Sequence, residues 1–284
     1  MMNRKNIFLS IVTALALGLV GCGDDEVAAT GGTGGAGTGG TGGGGGSTTE
    51  MAMVTVAHFA PEVPSAMDTN VDIIVSGDAD AVIEDLAYGE STGRVALPPG
   101  TYTFAVAVAG ETDPVFTIPD VPLAAGTDIT VVAYRSGEEA PASPVAVFVF
   151  DNSTEGLDSG SGRVFVGHGA DDAALDGVNI VTADGLMPTM CMPLIPDFAF
   201  GTTAPGAEDP PLDLDVDEVF VAFDLDDTCP PATLGPLAVP VTDNVVSLLV
   251  AVDEDTTDGL DVELWAIVDA SDAPSPLINA DPES

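Results

Sequence analysis

From residue 51 onward the chain alternates apolar runs of five to eight residues with breaks of Gly, Pro, Asp and Asn, the punctuation of an all-β protein. The clearest run is Thr101 to Val108, where Tyr102, Phe104, Val106 and Val108 alternate with Thr101, Thr103, Ala105 and Ala107. A period of two predicts a strand whose heavier face is buried. Leu97-Pro98-Pro99-Gly100 ahead of it is a turn, because proline fixes φ and glycine permits positive φ. Further strands are predicted over 54–59, 71–75, 82–87, 128–134 and 145–150. No helical period of useful length occurs.

The same order of blocks then recurs. Val54-Thr55-Val56-Ala57-His58 returns as Val164-Phe165-Val166-Gly167-His168, and Val71-Asp72-Ile73-Ile74-Val75 as Val178-Asn179-Ile180-Val181-Thr182. Asp85-Leu86-Ala87-Tyr88-Gly89 returns as Asp197-Phe198-Ala199-Phe200-Gly201, and Pro122 to Tyr134 matches Pro240 to Val252 in length. Val147-Phe148-Val149-Phe150-Asp151 is answered by Trp265-Ala266-Ile267-Val268-Asp269. Five blocks in one order, at a shift near 110 residues, predict two units over 51–151 and 163–284 joined by a Ser-, Gly- and Asp-rich linker over 152–162. Each unit has the size of a small β-sandwich.

These blocks resemble the bacterial domain of unknown function 4397, which is often found in tandem in exported proteins. The likeness lies in a strand ending in His58, the Val71-Asp72-Ile73 strand, Asp85-Leu86-Ala87-Tyr88-Gly89, Leu97-Pro98-Pro99-Gly100-Thr101-Tyr102 and Leu123-Ala124-Ala125-Gly126-Thr127. The second unit departs from it: the Leu-Pro-Pro turn has become Leu212 to Glu218, and Met187 to Pro196 carries an insertion with Cys191. The resemblance implies two tandem immunoglobulin-like or transthyretin-like sandwiches and no established activity.

Composition adds an environment. The 284 residues hold 46 Asp+Glu against five Lys+Arg, two of which, Arg4 and Lys5, fall in the first few residues. Beyond them only Arg94, Arg135 and Arg163 are basic, and there is no lysine. Such a field repels nucleic acid and anionic headgroups, so nucleic-acid binding is excluded. It suits salty or calcium-rich surroundings, and serves solubility equally well. Hydrophobic residues make up 45% of the chain, enough for a core. The exception is the tether over 22–50: twelve of the sixteen residues from Gly31 to Gly46 are glycine. With nothing to bury it is expected to be a disordered coil, its ends on the order of 30 Å apart.

The first 21 residues read as a signal peptide, with Arg4 and Lys5 ahead of about fourteen mostly apolar residues, Ile7 to Val20. A membrane-spanning helix needs roughly 20 such residues. Leu19-Val20-Gly21-Cys22 resembles the lipobox of bacterial lipoproteins. That resemblance implies acylation of Cys22, which would become the new first residue, and a lasting membrane attachment, since two or three acyl chains hold where one does not. Gly23 follows in place of the aspartate of an inner-membrane retention signal, which leans toward the outer membrane or cell surface.

The other cysteines, Cys191 and Cys229, lie 38 residues apart in a chain read as exported. A disulfide between them is the economical reading, worth roughly 4 kcal/mol in the chain-entropy picture.

Catalytic signals are lacking. His58 and His168 occupy equivalent positions, which favours a structural role for both over a zinc site. There is no nucleophile elbow or phosphate-binding loop, and carboxylates are too numerous to single out a pair. The sharpest cluster is Asp253 to Asp261, whose Asp253, Asp255, Asp258 and Asp261 could supply oxygens to calcium. An ordinary hairpin tip at Asp258-Gly259 explains the same residues. Asp213, Asp215 and Asp217 alternate with Leu212, Leu214 and Val216 and are expected on the wet face of a strand. The expectation is an exported lipoprotein, not an enzyme and without a cofactor. It would act through a surface protein or glycan, with a calcium-dependent or carbohydrate-binding adhesin as the alternative.

Overall fold

The computed structural model describes residues 50–61, 70–75, 81–137, 145–171, 177–183, 191–206, 209–216, 219–224, 234–253, 262–270 and 272–278. The leader, Cys22, the glycine tract and Cys229 fall outside them, as do Asp255, Asp258 and Asp261. Glu50 to Ser284 make one compact unit, all-β throughout the described residues.

Strands β1 (Ala52–Phe59), β2 (Val71–Val75), β3 (Ala81–Leu86), β4 (Glu90–Ser91), β5 (Val95–Leu97), β6 (Gly100–Val108), β7 (Pro114–Leu123), β8 (Asp128–Arg135) and β9 (Val145–Asp151) form two sheets. The outer sheet has the order β3-β2-β6-β7 and the inner one β4-β1-β8-β9, with β5 also on β1. They enclose a core of Val54, Val56, Val71, Ile73, Val75 and Phe104.

The second half repeats this with β10 (Ser161–Gly169), β11 (Val178–Ala183), β12 (Cys191–Phe198), β13 (Thr202–Ala204), β14 (Asp213–Asp215), β15 (Val219–Asp224), β16 (Leu234–Val239), β17 (Val246–Asp253) and β18 (Val262–Val268). One strand has no counterpart, β19 (Ser275–Ile278). The inner sheet is β13-β10-β17-β18-β19, with β14 on β10, and the outer sheet is β12-β11-β15-β16.

The duplication holds at atomic detail. β1 runs parallel to β8 with His58 opposite Ala133, and β10 runs parallel to β17 with His168 opposite Ala251. Asp85 and Asp197 both adopt positive φ, and their backbone N–H groups donate to Asp72 Oδ1 and Asn179 Oδ1. Gly89 and Gly201 donate to the carbonyls of His58 and His168 at 2.8 and 2.7 Å.

One block of the repeat is corrected. Val149 lies opposite Val131 and Ala266 opposite Leu249, so Val149 corresponds to Ala266 and Phe148 to Trp265. The matching of Val147 with Trp265 is therefore off by one. The cause is a β17–β18 connection one residue shorter than β8–β9: Asp253 pairs with Val262, Arg135 with Val145. A slip of one exchanges the faces of a strand, so it decides where Trp265 points.

The two inner sheets also pack on each other. Ala57, Phe59, Val132, Phe148 and Phe150 of the first share a cluster with Val246, Leu248, Val250 and Ile267 of the second. Both inner sheets are thus covered on both faces. This explains why β1 and β17 read as almost unbroken apolar runs: Val54 and Val56 face one core while Ala57 and Phe59 face the other.

One further strand reading changes, and β7 was not among the strands predicted. In β6, Phe104 is buried as expected, but so is Ala107 of the opposite face, because register shifts against β7, one of them between Val106 and Ala107, turn the strand. β7 carries Pro119 and Pro122, which a strand tolerates at a sheet edge, where β7 lies.

Candidate functional site

Between the sheets of the first sandwich lies an apolar cavity of about 50 Å³. Val54 and Val56 project into it from β1, Val131 and Ala133 from β8, and Phe116 and Ile118 from β7. His58 is the one lining side chain that carries nitrogen. On one side the cavity is bounded by the edge strands β7 and β9, where Phe116 packs near Val145. Val147 lines it half-exposed and Val149 is 49% exposed, which places an opening along β9.

The matched positions of the second sandwich differ in size. By strand register Leu86 corresponds to Phe198, Val131 to Leu249 and Val147 to Leu264, three lining positions with larger side chains there, while Val149 corresponds to the smaller Ala266. Phe198 comes to 5.7 Å from the His168 ring, between centroids, and Leu277 of β19 packs on the same core.

Both histidines are buried, at 3% and 2% exposure. His58 meets Tyr88 edge-on at 6.4 Å and His168 meets Phe200 likewise at 6.3 Å, each pair at the same place in its unit. A matched aromatic setting in both sandwiches fits the structural role expected of them.

Polar groups gather where the two sandwiches meet. Glu263, 5% exposed, accepts from Tyr88 Oη at 2.6 Å and from Trp265 Nε1 at 2.9 Å. Thr55 Oγ1, fully buried, donates to the carbonyl of Ala270. Arg94 pairs with Asp128 at 2.9 Å in its own half and with Asp269 at 2.7 Å in the other. Burial pushes the Tyr134 phenol up to about 12.

The linker is pinned. Arg163, 7% exposed, donates to both carboxylate oxygens of Asp213 and to the carbonyls of Ser153 and Glu155. The hydrogen bonds it donates to Asp213 hold the guanidinium pKa above its usual value, against the opposing effect of burial. Asn152 Nδ2 donates to Asp128 Oδ1 and Thr130 Oγ1. Asp213 and Asp215 are both exposed, as expected of the wet face of a strand, and Asp213 is also half of an ion pair.

Of the proposed calcium ligands, Asp253 ends β17 and accepts from the Asp171 backbone N–H at 3.1 Å. Among the described residues no group of three or more His, Cys, Asp or Glu is placed to hold a metal ion. Cys191 opens β12 opposite Ala183. The cleft itself left no mark in the linear sequence, because it follows from comparing Val131 with Leu249 and Val147 with Leu264 in correct register.

Residues 52–176 match the family model described as "Domain of unknown function (DUF4397)". The match covers the whole first sandwich and runs through β10. No curated protein matches the chain.

Proposed function

The first sandwich is a DUF4397 domain, and from that premise we propose that the chain is a cell-envelope lipoprotein with a non-catalytic structural or interaction role. The observation that carries this reading is the packing of the two inner sheets, which makes the pair of sandwiches one stiff body whose central strands are buried on both faces. Such a body is suited to presenting edges and loops to a partner. Its cleft is lined by apolar side chains apart from His58, an environment suited to holding apolar groups. The apolar run ending at Cys22, the basic residues before it and the glycine tract after it supply the anchor and spacer. In this reading Cys22 carries the lipid, Cys191 and Cys229 form a disulfide, and the outer membrane or cell surface is the site of residence.

The test is intact mass and fractionation of the protein made in a bacterial host. A mature mass beginning at Cys22 with added acyl groups, and release of Cys22→Ser from the membrane fraction, are the expected results. An unprocessed, unlipidated chain would remove the anchor. Melting with calcium and with chelator tests the adhesin alternative through the calcium version: a raised midpoint in calcium would favour it.

A further inference from the structure

We propose that the outer edge of β9 accepts an added strand from another protein, an extended segment apolar at alternating positions and basic at its ends. The proposal rests on the interaction role above and assigns it a place.

The second sandwich supplies the template. β18, the counterpart of β9, carries β19 on its far side, with Ala266 opposite Ser275, Trp265 opposite Pro276 and Leu264 opposite Ile278. Leu277 of that strand packs on the second core. Among the described residues β9 pairs with β8 alone. Its equivalents of Ala266 and Leu264 are Val149 and Val147, the residues at the opening of the cleft. A strand laid there as β19 lies on β18 would place a side chain over that opening, in the position Leu277 takes in the second sandwich.

Two of the chain's own segments are poor occupants. The residues leaving β9 are held elsewhere, through Asn152 to Asp128 and through the carbonyls of Ser153 and Glu155 to Arg163. The stretch from Gly23 to Glu50 has a single valine, Val27, and otherwise little but Gly, Ala, Thr and acids. A second copy brings the same excess of 46 carboxylates over five basic residues. The two edge strands that frame the opening carry Asp120 and Asp151 and no cation, which sets basic ends on the visitor. In strand addition the main chain provides affinity and side-chain pockets provide selection, and an edge and a pocket meet here.

The test uses the mature full-length protein in detergent and a synthetic peptide copying residues 272–278 with two lysines added at each end. Hydrogen exchange read by mass spectrometry is expected to slow at least tenfold over residues 146–150 at saturating peptide. Val149→Gln, at a half-exposed position, should abolish that protection while leaving the melting midpoint within a degree or two. A lysine-flanked peptide with serine at the apolar positions should give none. The proposal is overturned if β9 exchange is unchanged, if the serine peptide protects equally, if the peptide instead displaces β19 from β18, or if Val149→Gln binds as well. It is also overturned if β9 becomes protected with rising protein concentration alone, which would make the occupant a second copy. Failure here with Cys22 still lipidated removes the β9 site and leaves the envelope reading intact.

Discussion

Phe59 of the first sandwich stacks on Trp265 of the second, ring centroids 5.1 Å apart and planes inclined by 27°. Tyr88 closes on the same indole edge-on at 6.1 Å, and its hydroxyl shares Glu263 Oε2 with the indole nitrogen. The residue matching Phe59 is Gly169, and there Tyr134 from the other half occupies the space: a Cβ on Gly169 would sit 2.8 Å from its ring. One side of the junction is built as ring on ring, the other as ring on glycine.

Truncating the indole should therefore act on both sandwiches at once. Trp265→Ala removes the stack and leaves the Glu263 carboxylate, 5% exposed, with one of its two donors. The expected loss is about 3–5 kcal/mol in urea unfolding followed by circular dichroism. In the parent protein, emission from this single tryptophan should shift red in step with the loss of sheet signal. A variant as stable as the parent would mean that the inner sheets contribute nothing by their contact.

The glycine side is tested by adding volume. A Cβ on Gly167 would meet Phe148 at 2.9 Å, and the contact on Gly169 is with the ring and Cβ of Tyr134, which are buried and cannot swing away. Gly169→Ala and Gly167→Ala should each cost about 1–3 kcal/mol by overpacking. Gly156→Ala is a poor control, since its φ of +78° penalises any side chain. Ala146→Gly, on the same face of β9, serves better for separating volume from backbone effects.

Much of this architecture was legible in the pattern of residues, for identifiable reasons. The period of two in β6 and the Gly and Pro breaks marked the strands, and the recurrence of His58 as His168 marked the duplication. A trace of the contact between sandwiches lies in the apolar run of β17 from Leu248 to Val252, which is consistent with burial on both faces. Read as a strand alone, it gave no partner. What could not be read depends on register. The single-residue difference between the β8–β9 and β17–β18 connections sends Trp265 to the junction, and no local signal reports it. The cleft depends on the same alignment, and the bond between Arg163 and Asp213 links residues 50 positions apart.

Arg163 is the next test. It holds Asp213 with two hydrogen bonds and the linker with two more, from a site 7% exposed. Arg163→Ala leaves the exposed Asp213 without this partner and frees two carbonyls, and should cost about 1–3 kcal/mol. Arg163→Lys keeps the charge but not the planar fork, and should recover less than half of that loss. Limited proteolysis should then cut within 153–160 in both variants and spare the parent.

Stability should fall at alkaline pH through Tyr134. Burial holds its phenol protonated up to about 12 in the folded state, against 10.0 for an exposed tyrosine. Between those values the folded state keeps a proton that the unfolded chain releases, so unfolding is favoured as pH rises. The contribution is intact below pH 10 and lost as pH climbs through 12. Tyr134→Phe should flatten the slope of unfolding free energy over that interval.

The cavity can be narrowed at two of its lining positions. At about 50 Å³ and lined by apolar side chains and His58, it costs on the order of 1 kcal/mol in forgone contacts. Val131→Leu and Val147→Leu copy Leu249 and Leu264, and each adds one methylene toward the void. Filling it should raise stability by up to about 0.8 kcal/mol per substitution, read as a higher melting midpoint. The double variant should gain less than the sum, because both side chains compete for one space. A void kept open for a visiting side chain makes a second demand: the filled variant should melt higher and bind the β19-derived peptide more weakly. If it melts lower, the backbone around β9 is set for valine, and the cavity is a consequence of strand geometry and not of side-chain choice.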